Sequence, residues 1–325
     1  MIKYSIIVPA YNAASTLPRG LAALCTQSID RATYEIIVVD DGSIDQTAIV
    51  AERTLGSNNS QVIRAAHGGP AQARNLGAQA AHGDLLLFTD ADCEPAQNWI
   101  ERMAAAFDDP TIGGAKGVYR THQRAWVARF VQQEYQEKYD RMHDQSSIDF
   151  VDTYSAAYRR EVCVNSGGFD PAFIADEDQE LSFRLAAHGV RLAFAPDAIV
   201  YHQHVTSLLK YLRRKFSIGY WKGLVLRRHP DKAVRDTHTP QVIKMQMGLL
   251  AAAISMSLAA IFVPIAVSLV IGLWLLLLLS MLPLLIKIAR RDPPIVLIAP
   301  IMIVLRALGL GTSLAVGLIR FSFLK

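Results

Sequence analysis

The stretch YEIIVVDDGSID, residues 34–45, decides the fold. Tyr34 to Val39 is an apolar run broken only by Glu35, and it ends on Asp40, Asp41, Gly42 and Ser43. A strand apolar on both sides is covered on both faces, as in a parallel sheet flanked by helices. The pattern recurs outward in YSIIVP (4–9), QVIRA (61–65) and DLLLFTD (84–90). Between these runs AASTLPRGLAALCTQ, IDQTAIVAERTL and PAQARNLGAQAAH carry apolar residues at helical spacing. Strand and helix alternate three times, which predicts an α/β, Rossmann-like domain with a mainly parallel sheet.

Ligands of such sheets sit beyond the carboxyl ends of the strands. That rule selects Pro9 to Asn12, Asp40 to Ser43, His67 to Gly69 and Asp90 to Asp92. A carboxylate such as Asp40 can accept from a base N–H or ribose hydroxyls. Asp90 and Asp92 are two residues apart, and in a loop they can converge on a hard divalent cation. No GxGxxG follows the first run and no GxxxxGK[ST] occurs, so the dinucleotide-dehydrogenase and P-loop classes lose their main support.

Composition divides the 325 residues into three parts. Residues 1–204 hold 17 Lys+Arg against 26 Asp+Glu, residues 205–245 hold 10 against 2, and residues 246–325 hold 6 against 1. An acidic head large enough for its own core is followed by a basic collar and an apolar tail. Cys25, Cys93 and Cys163 form no CxxC or Cys/His cluster, which fits a reducing compartment and argues against a disulfide framework or zinc site. The apolar start MIKYSIIVPAYN breaks at Pro9 and reads as a buried strand, not a secretion signal.

From Gly248 to Ile286 there are 39 residues without charge. One helix needs roughly 20 to cross a bilayer, so two crossings are expected, over 246–263 and 265–286 with Pro264 at the turn. Lys287, Arg290 and Arg291 then join the collar on the cytoplasmic side by the positive-inside rule. Pro293 to Ile319 is either a third span with a paired Arg306 or a set of interfacial helices. The collar interleaves Lys210, Arg213, Arg214, Lys215, Lys222, Arg227 and Arg228 with Tyr211, Phe216, Tyr220 and Trp221. An amphipathic helix on an anionic leaflet is expected, with membrane lipids and no nucleic acid as partners.

IIVPAYNAASTLPRGLAAL, EIIVVDDGSIDQT, GGPAQARNLGAQAAHGDLLLFTDADCEP and GGFDPAFIADEDQELSFRLAAHG resemble the successive motifs of family 2 glycosyltransferases with the GT-A fold. The resemblance covers about residues 3–204 in the family's order. It implies a GT-A nucleotide-sugar domain over 1–204, an interfacial basic segment over 205–245 and a transmembrane region over 246–325. Pro9, Ala10, Tyr11, Asn12, Asp40 and Asp41 would line the base and ribose pocket, with uridine the favoured base. Arg74 would approach the diphosphate or ribose, and Asn75 would support the turn. Asp90, Ala91 and Asp92 resemble the DxD element, which holds Mg2+ or Mn2+ on the donor diphosphate, with Asp92 the direct ligand.

The resemblance further implies that Asp178 is the general base of an inverting transfer, its basicity raised by burial or by Asp176, Glu177 and Glu180. His202 would touch metal or phosphate, with His204 a spare, and Tyr154 and Ser155 would form an acceptor-facing wall. The QxxRW element of processive synthases is absent, which favours a single sugar transfer from a nucleotide sugar to a lipid-linked or glycan acceptor, at the inner face of a bacterial inner membrane. A polyprenyl-phosphate sugar synthase is the alternative within the class. A catalytically silent nucleotide-binding membrane module is the alternative outside it.

Overall fold

The computed structural model describes residues 1–56, 59–234, 236–237 and 239–323. The chain forms two compact units, the first of residues 1–122 and 139–203, the second of residues 123–138 and 204–325.

The first unit begins with the expected alternation. Strands β1 (Tyr4–Ala10), β2 (Tyr34–Asp41), β3 (Ser60–Ala65) and β4 (Leu85–Phe88) alternate with helices α1 (Leu17–Cys25), α2 (Thr47–Leu55) and α3 (Pro70–Ala80). There follow β5 (Cys93–Pro95), α4 (Trp99–Ala104), β6 (Ile112–Arg120), α5 (Trp126–His143), of which residues 126–138 belong to the second unit, β7 (Ala156–Arg159), α6 (Arg160–Asn165), α7 (Glu177–Ala187) and β8 (Arg191–His202). The eight strands form one sheet in the order β3-β2-β1-β4-β7-β6-β8-β5.

β1 pairs parallel with β2 and β4, and β2 with β3. β7 enters antiparallel between β4 and β6, and β5 closes the far edge antiparallel to β8. Every residue of β2 is buried, the physical counterpart of its continuous apolar run. Ile7, Ile37, Val39, Leu86 and Phe88 pack with Phe169, Leu181 and Leu185 in one core, which brings the 167–170 turn and α7 to the same side of the sheet as β1, β2 and β4.

In the second unit α8 (Leu208–Arg228) is followed by α9 (Gln241–Ala260), α10 (Val267–Arg291) and α11 (Ala299–Ser322). The connection between α9 and α10 is the 3-10 turn Pro264–Ala266, at the proline expected to mark it. α9, α10 with its preceding turn, and α11 are each long and apolar enough to cross a membrane. The expected helices over 246–263 and 265–286 are thus displaced to 241–260 and 267–291, because helix continues through polar residues at both outer ends.

Candidate active site

The loops after β1 and β2 are tied together by side chains. Asn12, at φ 48°, receives Ile44 N–H on its Oδ1 at 2.9 Å, and its own N–H donates to Ser43 Oγ at 2.9 Å. Ala13 N–H donates to Thr47 Oγ1 at 2.8 Å and Ala14 N–H to Asp45 Oδ2 at 3.2 Å. Pro9 and Ala10 end β1 and are covered, whereas Tyr11 is half exposed and stacks on the His67 ring at 4.3 Å.

The two acids that end β2 do different work. Asp40 accepts Ser43 N–H on Oδ1 at 3.1 Å and closes the turn. Asp41 accepts the N–H groups of Gly68 and Gly69 at 2.8 and 3.0 Å and lies 2.9 Å from His67 Nδ1. Asp41 therefore fixes the loop between β3 and α3, a task the sequence does not announce.

Arg74, in the second turn of α3, is only 4% exposed. Its Nη2 donates to Asp90 Oδ1 at 2.9 Å and its Nη1 to Glu177 Oε1. Burial works against its charge, but Glu177, Asp90 and Asp178 outweigh that and hold it protonated. The guanidinium faces protein carboxylates and forms a strut between the acid loop after β4 and the start of α7. Asn75 braces the adjoining turn, accepting Phe169 N–H at 2.9 Å and donating to Phe169 O at 2.7 Å. At Gly168 (φ +68°) a Cβ would collide with Asn75 Oδ1, so this tight turn before α7 calls for glycine. Arg184 Nη2 donates to Gly168 O at 2.7 Å from the other side.

Asp178 stands in the first turn of α7, with Glu177 and Glu180 beside it and Asp176 at the cap in a left-handed conformation. Its Oδ2 accepts Thr153 N–H at 3.3 Å and its Oδ1 accepts Gln179 N–H at 2.8 Å. A helix N-terminus favours the ionised form. Burial and the charges of Glu177, Asp152 and Asp176 outweigh it, with Arg74 opposing them, and push the carboxyl well above the ordinary range.

Asp92 follows β4 on an exposed turn, and its Oδ2 lies 3.1 Å from Nε2 of the buried His202 at the end of β8. β5 and β8 pair Cys93 with His202, which sets this distance. Tyr119 stacks on His202 at 4.5 Å and holds its ring plane. Ligand atoms of Asp90, Asp92 and Cys93 lie within 4.8 Å of one another. Burial, then Asp90 and Asp92, push the Cys93 thiol well above its ordinary value, and sulfur is the softest donor of the three. What remains is a pair of carboxylates beside an imidazole, a donor set that fits Mg2+ or Mn2+.

Two expectations are corrected. Tyr154 and Ser155 form no open wall: both are buried, Tyr154 stacked on Tyr119 with its hydroxyl 2.8 Å from Tyr139 Oη, and Ser155 receiving Trp99 Nε1–H at 2.9 Å. Their place between β4, β6 and β8 leaves no exposed face. His204 is not part of this site but belongs to the second unit, where its Nε2 lies 3.1 Å from Gln132 Oε1.

One pair was not foreseen from sequence. Lys116 of β6 is fully buried, ion-paired with Asp152 and 4.9 Å from the Phe150 ring centre. A lone lysine in IGGAKGVYR carries no motif, and only the antiparallel insertion of β7 beside β6 puts it near Asp152 and Thr153.

A half-parallel sheet with acids beyond β2 and β4 and a carboxylate helix facing them defines the GT-A type of fold. Residues 5–166 match Glycosyl transferase family 2, so the chain carries a domain of that family. It is similar to the pre-mycofactocin glycosyltransferase of Mycobacterium tuberculosis, 30% identical over 70% of this chain and 48% of the relative. The chain thus spans about half the length of that relative. Its fold is similar to the mannosyltransferase PcManGT from Pyrobaculum calidifontis in complex with GDP-Man and Mn2+, with TM-score 0.63 and 20% identity over 98% of this chain and 87% of that one. It is also similar to S. aureus TarS 1-349 in complex with UDP, with TM-score 0.51 and 21% identity over 67% of this chain and 64% of that one.

Proposed function

We propose that the protein is a membrane-anchored, inverting glycosyltransferase that moves one sugar from a nucleoside diphosphate sugar to a lipid-linked acceptor at the cytoplasmic leaflet. The observation that carries this reading is the strut from Asp90 through Arg74 to Glu177, which ties the acid turn after β4 to the helix that bears Asp178.

Pro9, Ala10, Tyr11 and Asn12 line the nucleoside side, with Asp41 holding the 67–69 loop behind them. Asp40 keeps Oδ1 on Ser43 and offers Oδ2 to a ring N–H, which both uracil and guanine carry; uridine is the base we favour. Asp178 takes the proton of the acceptor hydroxyl as that oxygen bonds to the anomeric carbon. The bond from that carbon to the diphosphate oxygen breaks on the opposite face, so configuration inverts and nucleoside diphosphate leaves. The raised affinity of Asp178 for a proton brings it closer to the strength a general base needs near neutrality. Asp90, Asp92 and His202 would hold Mg2+ or Mn2+, which would neutralise charge on the leaving diphosphate. The head ends near residue 204, the 205–245 segment meets the anionic leaflet, and the apolar helices anchor the chain.

The test is a donor screen with detergent-purified full-length protein and Mn2+ or Mg2+, covering uridine and guanosine diphosphate sugars with lipid extracts as acceptors. Metal-dependent release of one nucleoside diphosphate, lost in Asp178→Asn and Asp92→Asn, supports the proposal. Donor binding without turnover would instead support the silent-module reading.

A further inference from the structure

α11 satisfies the length and hydropathy of a span, yet the helix it follows along its length is the basic α8, and it meets α9 near that helix's start, at Gln246 and Met247. It runs parallel to α8 along nearly its whole length. Gly219 abuts Ser313 and Leu310, Gly223 abuts Gly317, and Arg227 donates to Phe321 O, so the registers advance together by four residues. A Cβ on Gly223 would lie 2.7 Å from the Gly317 carbonyl carbon, so the two backbones touch. This is small-residue packing of the kind that membrane helices use. α8 carries Lys210, Arg213, Arg214, Lys215, Lys222, Arg227 and Arg228 from end to end. Each such charge is costly at the centre of a bilayer. A helix locked side by side to α8 therefore shares its depth.

The first half of α11 is held in the same way. Ala299, Met302, Ile303 and Ala307 share a core with Phe130 and Val131 of α5, with Leu250 of α9, and with Met281, Leu284 and Ile288 toward the charged end of α10. The buried Arg306 is bound by Glu134 of α5 at 3.3 Å and by Gln246 at 3.0 Å, and Lys215 reaches Glu134 at 3.0 Å. Glu137 and Arg129 of α5 engage Lys287 and Asp292, at the charged end of α10.

The hairpin gives the complementary observation. Buried residues of α9 stop at Ala253 and those of α10 begin at Leu277. Between them Leu258, Ile261, Phe262, Ile265, Leu269, Ile271 and Leu275 are exposed. A third span beside the hairpin would cover one side of that distal half.

We infer that α11 does not cross the membrane but lies with α8 along the leaflet surface as a two-helix plate, leaving α9 and α10 as the two spans. The plate sets basic residues of α8 toward lipid headgroups and Leu308, Val316, Leu318 and Ile319 of α11 toward the acyl boundary. This rests on the reading that α9 and α10 cross a bilayer.

The test uses full-length protein in sealed vesicles and a membrane-impermeant maleimide, in a Cys25→Ser background because Cys93 and Cys163 are buried. Single cysteines are placed by Asp231→Cys between α8 and α9, Phe262→Cys at the hairpin tip and Ser322→Cys at the end of α11. The inference expects Asp231→Cys and Ser322→Cys to label from one side and Phe262→Cys only from the other. Ser322→Cys labelling together with Phe262→Cys overturns the plate while leaving the membrane anchor intact. All three labelling from one side overturns the two-span anchor itself, and the plate with it. A spin label on Thr312→Cys, midway along α11, should read headgroup depth; a reading at the bilayer centre overturns the inference independently.

Discussion

Arg74 Nη2 stands 2.9 Å from Asp90 Oδ1, inside the protein, with the other end of the same guanidinium on Glu177. One cation thereby fixes two carboxylates from segments about ninety residues apart in the chain.

Removing that cation strands two acids. Arg74→Met is expected to cost about 3–5 kcal/mol of stability, since Glu177 is buried and would be left unpaired. Arg74→Lys keeps the charge but cannot reach both partners in a fixed fork, so it should stay folded with turnover reduced by about tenfold or more. Thermal melts paired with nucleoside diphosphate release separate the two effects; wild-type turnover in Arg74→Lys would refute the strut.

Asp178 holds its proton more tightly in the folded protein than in the unfolded chain. Its contribution to stability is therefore present below the ordinary carboxylate pKa of about 3.9 and is lost as pH rises through the raised folded value. At neutral pH the ionised group opposes folding, so Asp178→Asn should raise the melting temperature while lowering turnover by about 10²- to 10⁴-fold. A fall in both would remove Asp178 from the role of base.

Turnover should rise with pH along an acid limb governed by Asp178. Asp152 is one of the carboxylates that raise it, so Asp152→Asn should shift that limb to lower pH. A pH profile of kcat/KM for the two proteins checks the direction; a limb moved upward contradicts the assignment.

Lys116 and Asp152 form a buried ion pair, so Lys116→Met should destabilise the fold by about 3–5 kcal/mol by leaving Asp152 uncompensated. Adding Asp152→Asn to Lys116→Met should recover much of that loss. Chemical denaturation of the single and double variants measures the coupling, and additive losses would deny it.

Asp92→Asn and His202→Ala should each raise the Mn2+ concentration needed for half-maximal turnover. His202 also stacks on Tyr119, so His202→Phe keeps the packing and isolates the imidazole nitrogen. An unchanged metal requirement in His202→Phe would leave Asp92 and Asp90 as the only ligands.

The parallel half of the sheet was legible because β1, β2 and β4 are buried on both faces, and a two-sided apolar run has few other uses. The strands β5 to β8 were less so: β7 and β5 are four and three residues long, too short for a periodic signal, and their antiparallel pairing depends on long-range contacts. Motif order singles out Asp178 and Asp92 as candidates, whereas the partners of Arg74 and Lys116 lie far away in sequence and leave no local trace.

Sequence by itself determined the strand and helix alternation, the acids at the strand ends, and three apolar segments long enough for a bilayer, because each is written in local periodicity and composition. Tertiary structure alone decided that Arg74 faces carboxylates, that Tyr154 and Ser155 are core, and that α11 packs along a basic helix. Those outcomes turn on which distant groups meet in a low-dielectric interior, where an unpaired charge is expensive and a glycine seam lets two backbones touch.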